Sequence, residues 1–141
     1  MTYPFSVNNI HYQCWFTELN CNLPKLQLLC QHLKREQLPV GQNSFTLDFD
    51  LISNIENDSF FEEPEQNEKQ TYSGLRVLSN FLIEIITAHN DTYGALFYFA
   101  QPASDKLCSF YERFVVLKLT DLGYNYYHDE DGDGWYVFKK S

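Results

Sequence analysis

The sequence predicts an α+β (mixed α/β) fold, a single mixed sheet flanked by helices, and three observations lead there. Phe45 to Leu51 alternates strictly, with Phe45, Leu47, Phe49 and Leu51 on one face and Thr46, Asp48 and Asp50 on the other, which is the period of a half-buried strand. From Ser73 the apolar period becomes helical, through Leu75, Leu78, Leu82, Ile85 and Ile86. Near the end, Tyr124 to Tyr127 and Trp135 to Phe138 flank Asp129-Glu-Asp-Gly-Asp-Gly134, the pattern of a hairpin.

The remaining elements fill in around these. Ile10, Tyr12, Cys14 and Phe16 alternate with polar or amphipathic neighbours and predict a first strand. Asn22 is an N-cap candidate with Pro24 in the first turn, and Leu26, Leu29, Cys30 and Leu33 recur at helical spacing until Pro39 and Gly41. Residues 55–68 carry six acids and no base around Pro64, so a solvated loop or mobile flap is expected over about 55–72. The helix from Ser73, widened by Val77, Phe81 and Ile83, is expected to end at Asn90-Asp91. The continuous apolar run Ala95 to Ala100 fits a central strand covered on both faces. Ser104 caps a helix bearing Leu107, Phe110, Tyr111, Phe114, Val115 and Leu122, with Gly123 at its C-terminal stop. The order is β-α-β-(long loop)-α-β-α-β-β in one domain, residues 1–141.

Charge narrows the partners. Lys+Arg number 10 against 19 Asp+Glu, a formal charge of −9, and a surface of that sign repels nucleic acid and anionic membranes. No apolar run approaches the length of a bilayer. The segment Met1 to Asn9 has neither a basic nor an apolar region, so no secretory signal is expected and the expected location is cytoplasmic. Cys14, Cys21, Cys30 and Cys108 show no C-x-x-C pair and are expected as buried free thiols.

From Phe45 onward the order of elements resembles the GNAT superfamily of acyl-CoA-dependent N-acyltransferases. Phe45–Leu51 resembles that family's fourth strand, Gly74-Leu-Arg-Val-Leu78 the start of its third helix, and Gly94 to Ala100 its fifth strand. Ser109-Phe-Tyr-Glu-Arg-Phe114 resembles the A-x-x-F-Y segment of its fourth helix, and Leu122-Gly-Tyr124 with Trp135 to Lys139 its closing hairpin. The resemblance implies acetyl-CoA as cofactor, its pyrophosphate on backbone amides at a helix N-terminus, in a site made of Lys69, Ser73, Gly74, Leu75 and Arg76. Lys69 stands at the motif's leading cation and Gly74 at its last glycine, while Tyr72 stands at the middle glycine position. It also implies Tyr111 as the acid that protonates the departing thiolate; read from the residues alone, Tyr111 is one aromatic of an amphipathic stripe.

Asp48 and Asp50, two apart on one strand face, would attract a cationic amine and accept its proton if that face lines a cleft; facing water they are solvated charges. Asp129 to Gly134 has the opening of an EF-hand loop but Lys140 where the bidentate carboxylate belongs, so an acidic hairpin tip is the better account. The four histidines lack zinc-ligand spacing, and no hydrolase, NTPase or dinucleotide motif occurs; no metal is expected. Two functions follow: an N-acetyltransferase acting on an amine-bearing small molecule or protein, or an acidic non-enzymatic binder, of the inhibitor or immunity type, that masks a basic protein partner.

Overall fold

The computed structural model describes residues 2–19, 44–62, 64–130 and 132–140. The chain opens with β1 (Thr2–Val7) and β2 (Ile10–Glu18), an antiparallel pair joined at Asn8-Asn9. Both asparagines have positive φ, 52° and 64°, the conformation that a two-residue hairpin turn needs to match strand twist. β1 was not expected; Pro4 lies in it, at the sheet edge where a missing N–H costs nothing. The helix expected from Asn22 to the stop at Pro39 and Gly41 lies outside the described residues.

β3 (Ser44–Leu51) leads into a short α1 (Ile52–Glu56), then a 3₁₀ turn at Gln66–Glu68 and α2 (Tyr72–Tyr93). β4 (Phe97–Ala100) follows, then α3 (Asp105–Phe110), a π-helical turn (Tyr111–Val115), α4 (Val116–Asp121), and the hairpin β5 (Tyr124–His128) and β6 (Tyr136–Lys140). The six strands form one mixed sheet in the order β1-β2-β3-β4-β6-β5, in which β3 and β4 are parallel and the other pairs antiparallel. The expected single mixed sheet, its central β4 and its closing hairpin are present.

Local chemistry explains the helices. The Thr71 side chain caps α2 by accepting the Gly74 N–H at 3.1 Å, and Gly94 ends it with φ 58° and an N–H bonded to the Asn90 carbonyl. The helix therefore runs past Asn90-Asp91. Its buried stripe is Leu78, Leu82, Ile86 and His89; Val77, expected to widen it, is exposed. Ser104 caps α3 by accepting the Leu107 N–H. The expected continuous helix after it contains the π-turn, which keeps Tyr111, Phe114 and Val115 buried together; such turns concentrate at functional sites.

One face of the sheet carries the main core, where Phe45, Leu47, Phe49 and Leu51 meet Leu78, Leu82, Ile86, Tyr98, Tyr111 and Tyr136. The other face carries a smaller cluster of Leu19, Phe97, Phe99 and Val137. β4 is buried on both sides, as a central strand must be. Cys14 is a buried free thiol and Cys108 a half-buried one.

Candidate functional site

The parallel pair is short. Only Ser44, Phe45 and Thr46 pair with Phe97, Tyr98 and Phe99. Beyond them β3 continues to Leu51 alongside β2, while β4 stops at Ala100 and the chain turns aside through Gln101, whose amide donates to the Asp133 carbonyl at 2.9 Å. A sheet whose neighbouring strands part leaves unpaired backbone and space between them, and cavities open on both sides of the parting. The first, of about 400 Å³, lies between the end of β3, the start of α2 and α3, and is walled by Tyr12, Phe49, Leu51, Leu75, Leu107 and Phe110 with Lys69, Lys106 and Glu68 at its polar edge. The second, of about 360 Å³, lies on the other sheet face against Thr46, Asp48, Phe99, Gln101 and Trp135. Between them a narrow gap of about 10 Å³ is lined by Asp48, Phe49, Gln101, Pro102 and Tyr111. Phe61 borders all three spaces.

Asp48 and Tyr111 thus come together although 63 positions separate them. Burial holds the Asp48 carboxyl above the ordinary carboxylate range. Burial, reinforced by the nearby Cys14 and Asp48, also pushes the Tyr111 phenol up, so it stays protonated at neutral pH. The Tyr111 ring stacks on Tyr136 at 5.5 Å, which fixes where its hydroxyl sits.

Asp50 goes elsewhere. Its Oδ1 accepts from the Leu51 N–H at 2.8 Å and from Asn54 Nδ2 at 2.9 Å, and its Oδ2 from the Phe61 N–H at 2.6 Å. Three donors on one buried carboxylate make it the anchor of the acidic segment, and they hold Phe61 at φ 62° over the cleft. The segment's far end is tied as well, by Ser53 donating to Glu68 at 2.8 Å.

At the start of α2 the residues expected around a cofactor separate. Lys69 and Leu75 border the first cavity. Ser73 is exposed, its hydroxyl 3.1 Å from that of Thr71. The Gly74 N–H is used by the Thr71 cap, and a Cβ there would run into Gln70 Oε1. Gln70 itself donates to the Val7 carbonyl and to Tyr12, both at 3.0 Å. Arg76 is exposed and close enough to Lys118 to lower that amine's pKa, after burial. Tyr72 is 64% exposed and leans on Phe114, 5.3 Å between ring centres, so it does not fill the cavity.

Sequence reasoning missed Phe61, Gln70, Gln101 and Lys106. Phe60-Phe61 was the available signal for the first, since paired aromatics inside an acidic polar run need a packing partner; Trp15 supplies it, with its ring centre 6.1 Å from that of Phe61. No protein-family model, curated protein or solved structure matches this chain. No described helix is long and apolar enough to cross a membrane.

Proposed function

We propose that this protein is a GNAT-like N-acyltransferase that moves an acetyl group from acetyl-CoA to an amine. The observation that carries the reading is the parting of β3 from β4 with Asp48 and Tyr111 both lining the gap. In this reading the thioester enters from the larger cavity and the amine from the second. The amine nitrogen attacks the thioester carbonyl, a C–N bond forms and the C–S bond breaks. Asp48 accepts the proton lost by the amine, and the Tyr111 O–H meets the departing sulfur. Burial keeps that phenol protonated but makes it a weaker acid than an ordinary tyrosine, so its part is a hydrogen bond to the sulfur as charge builds there. Because Thr71 already engages the Gly74 amide, the pyrophosphate would rest on the first-turn amides of Tyr72 and Ser73 and on Lys69 and Lys106 at the rim.

Isothermal calorimetry and thermal shift with acetyl-CoA test the reading. Micromolar binding is expected, and at a hundredfold excess over Kd the ligand adds about 2.7 kcal/mol to stability. An unchanged melting temperature at millimolar acetyl-CoA overturns it.

A second reading, an acidic protein that masks a basic partner, is favoured by one further observation. Phe60 and Phe61, 47% and 38% exposed, cluster with Trp15 amid the acids of residues 56–68. Aromatic anchors inside a charged rim are what interfaces use for affinity and steering. Reversing the charges of residues 56–68 is then expected to abolish capture of a cationic protein at low salt; capture that survives the reversal removes this alternative.

A further inference from the structure

We propose a metal site outside the cleft, for one divalent ion of the zinc type, held by Glu112 of the π-turn, His128 at the end of β5 and Glu130 in the hairpin turn. One carboxylate oxygen of each glutamate and a ring nitrogen of His128 lie within 4.8 Å of one another. From His128 Nδ1 the distances are 3.3 Å to Glu112 Oε1 and 3.7 Å to Glu130 Oε1. A tetrahedral zinc with bonds of about 2.1 Å separates its ligand atoms by about 3.4 Å, so the spacing needs little adjustment. The adjustment falls on Glu130, whose side chain is 77% exposed and free to swing inward.

The second observation is the state of the imidazole. Its side chain is 11% exposed, its Nδ1 is buried, and that atom has no hydrogen-bond partner despite the carboxylate oxygen at 3.3 Å. The oxygen lies off the line along which an N–H would point. A proton needs its acceptor on that line, whereas a tetrahedral metal on the nitrogen lone pair places its other ligands about 35° away from it. The ring cannot rotate to improve a hydrogen bond, because it lies flat on Tyr136 at 3.9 Å and 3°.

The surroundings complete a metal-type second layer. Tyr136 O–H donates to Glu112 Oε1 at 2.6 Å, and Cys108 Sγ lies 3.5 Å from that hydroxyl and 3.9 Å from His128 Nε2. An Nε2–H directed at the sulfur leaves the Nδ1 lone pair facing two carboxylates, three electron-pair donors converging on one point. That arrangement is repulsive without a cation and stabilising around one. One imidazole and two carboxylates suit zinc among the commoner ions, and the open fourth position takes water. The ion would clasp the hairpin to the π-turn one residue past Tyr111, independently of whether the cleft transfers acyl groups.

The test is calorimetric titration of the full chain with Zn²⁺ in chelator-free buffer. One ion per chain is expected, with affinity reduced at least tenfold by Glu130→Gln and lost with His128→Gln. Tyr136→Phe, which removes the hydrogen bond to Glu112 and the hydroxyl contact with Cys108 but no ligand atom, is expected to weaken binding about 10-fold or more. No binding, or binding unchanged in both ligand variants, overturns the proposal, the latter because it puts zinc on other groups. Should His128→Gln not fold, Glu130→Gln decides alone, since its exposed side chain is not needed for the core.

Discussion

Asp48→Asn is expected to lower kcat/KM for acetyl transfer by about 10²–10⁴-fold, the usual contribution of a positioned proton acceptor, while raising thermal stability at neutral pH. The two effects have one cause. Burial raises the folded-state pKa of Asp48 above its ordinary carboxylate value. The stability this group contributes is therefore present in full below the ordinary value and is lost as pH rises through the raised one. At pH 7 the ionised carboxylate is a cost to folding, and a neutral amide of the same shape relieves it. In the proposed reaction Asp48 acts in its charged form, so kcat/KM of the wild type should rise with pH through an inflection above the ordinary aspartate value. Melting curves and pH–rate profiles of the two proteins decide the matter. A variant as active as the wild type ends the assignment of Asp48, and one destabilised at pH 7 shows that its carboxylate is held by partners rather than strained by burial. Asp50→Asn, by contrast, keeps an oxygen for Leu51 and Asn54 but sets an NH2 group against the Phe61 N–H, and is a fold lesion rather than a site lesion.

Those two aspartates show how far the sequence could be read. Strict alternation put both on one face of β3, and the structure agrees, because a period of two leaves no choice of face. Nothing local distinguishes them. Asp50 is claimed by Asn54 and Phe61, which follow it closely in the chain, whereas Asp48 meets the cleft only because β4 stops at Ala100 and the helix after it returns Tyr111. The central strand was legible because Phe97 to Ala100 is apolar on both faces. β1 was missed although Tyr3, Phe5 and Val7 alternate toward the core before Asn8-Asn9; Pro4 demotes a strand unless it is known to sit at an edge. The π-turn has no sequence period of its own. The Glu112, His128 and Glu130 group escaped because ligand-spacing rules see only neighbours in sequence, and helix and hairpin packing brings these three together.

The largest pH effect on stability is expected from His89. Its side chain is fully buried near the C-terminal end of α2, stacked on Phe16 at 3.9 Å and set edge-on to Phe45, with Nδ1 2.7 Å from the Tyr98 hydroxyl and no partner for Nε2. Burial lowers its pKa from the ordinary 6.5 to about 4. A depressed folded-state value means that the neutral ring contributes stability above pH 6.5, which is lost as pH falls from there through about 4, because the unfolded chain takes up the proton first. The loss amounts to roughly 1–3 kcal/mol, a large fraction of the stability of an ordinary domain. Urea titrations between pH 7 and pH 4 should show it as a falling midpoint at constant slope. His89→Gln retains a hydrogen-bonding group for Tyr98 but cannot titrate. Whatever its stability at pH 7, that variant should lose less than the wild type on acidification, and the difference should develop between pH 6.5 and 4. Parallel curves for the two proteins would place the acid sensitivity in the carboxylates and remove His89 from the account.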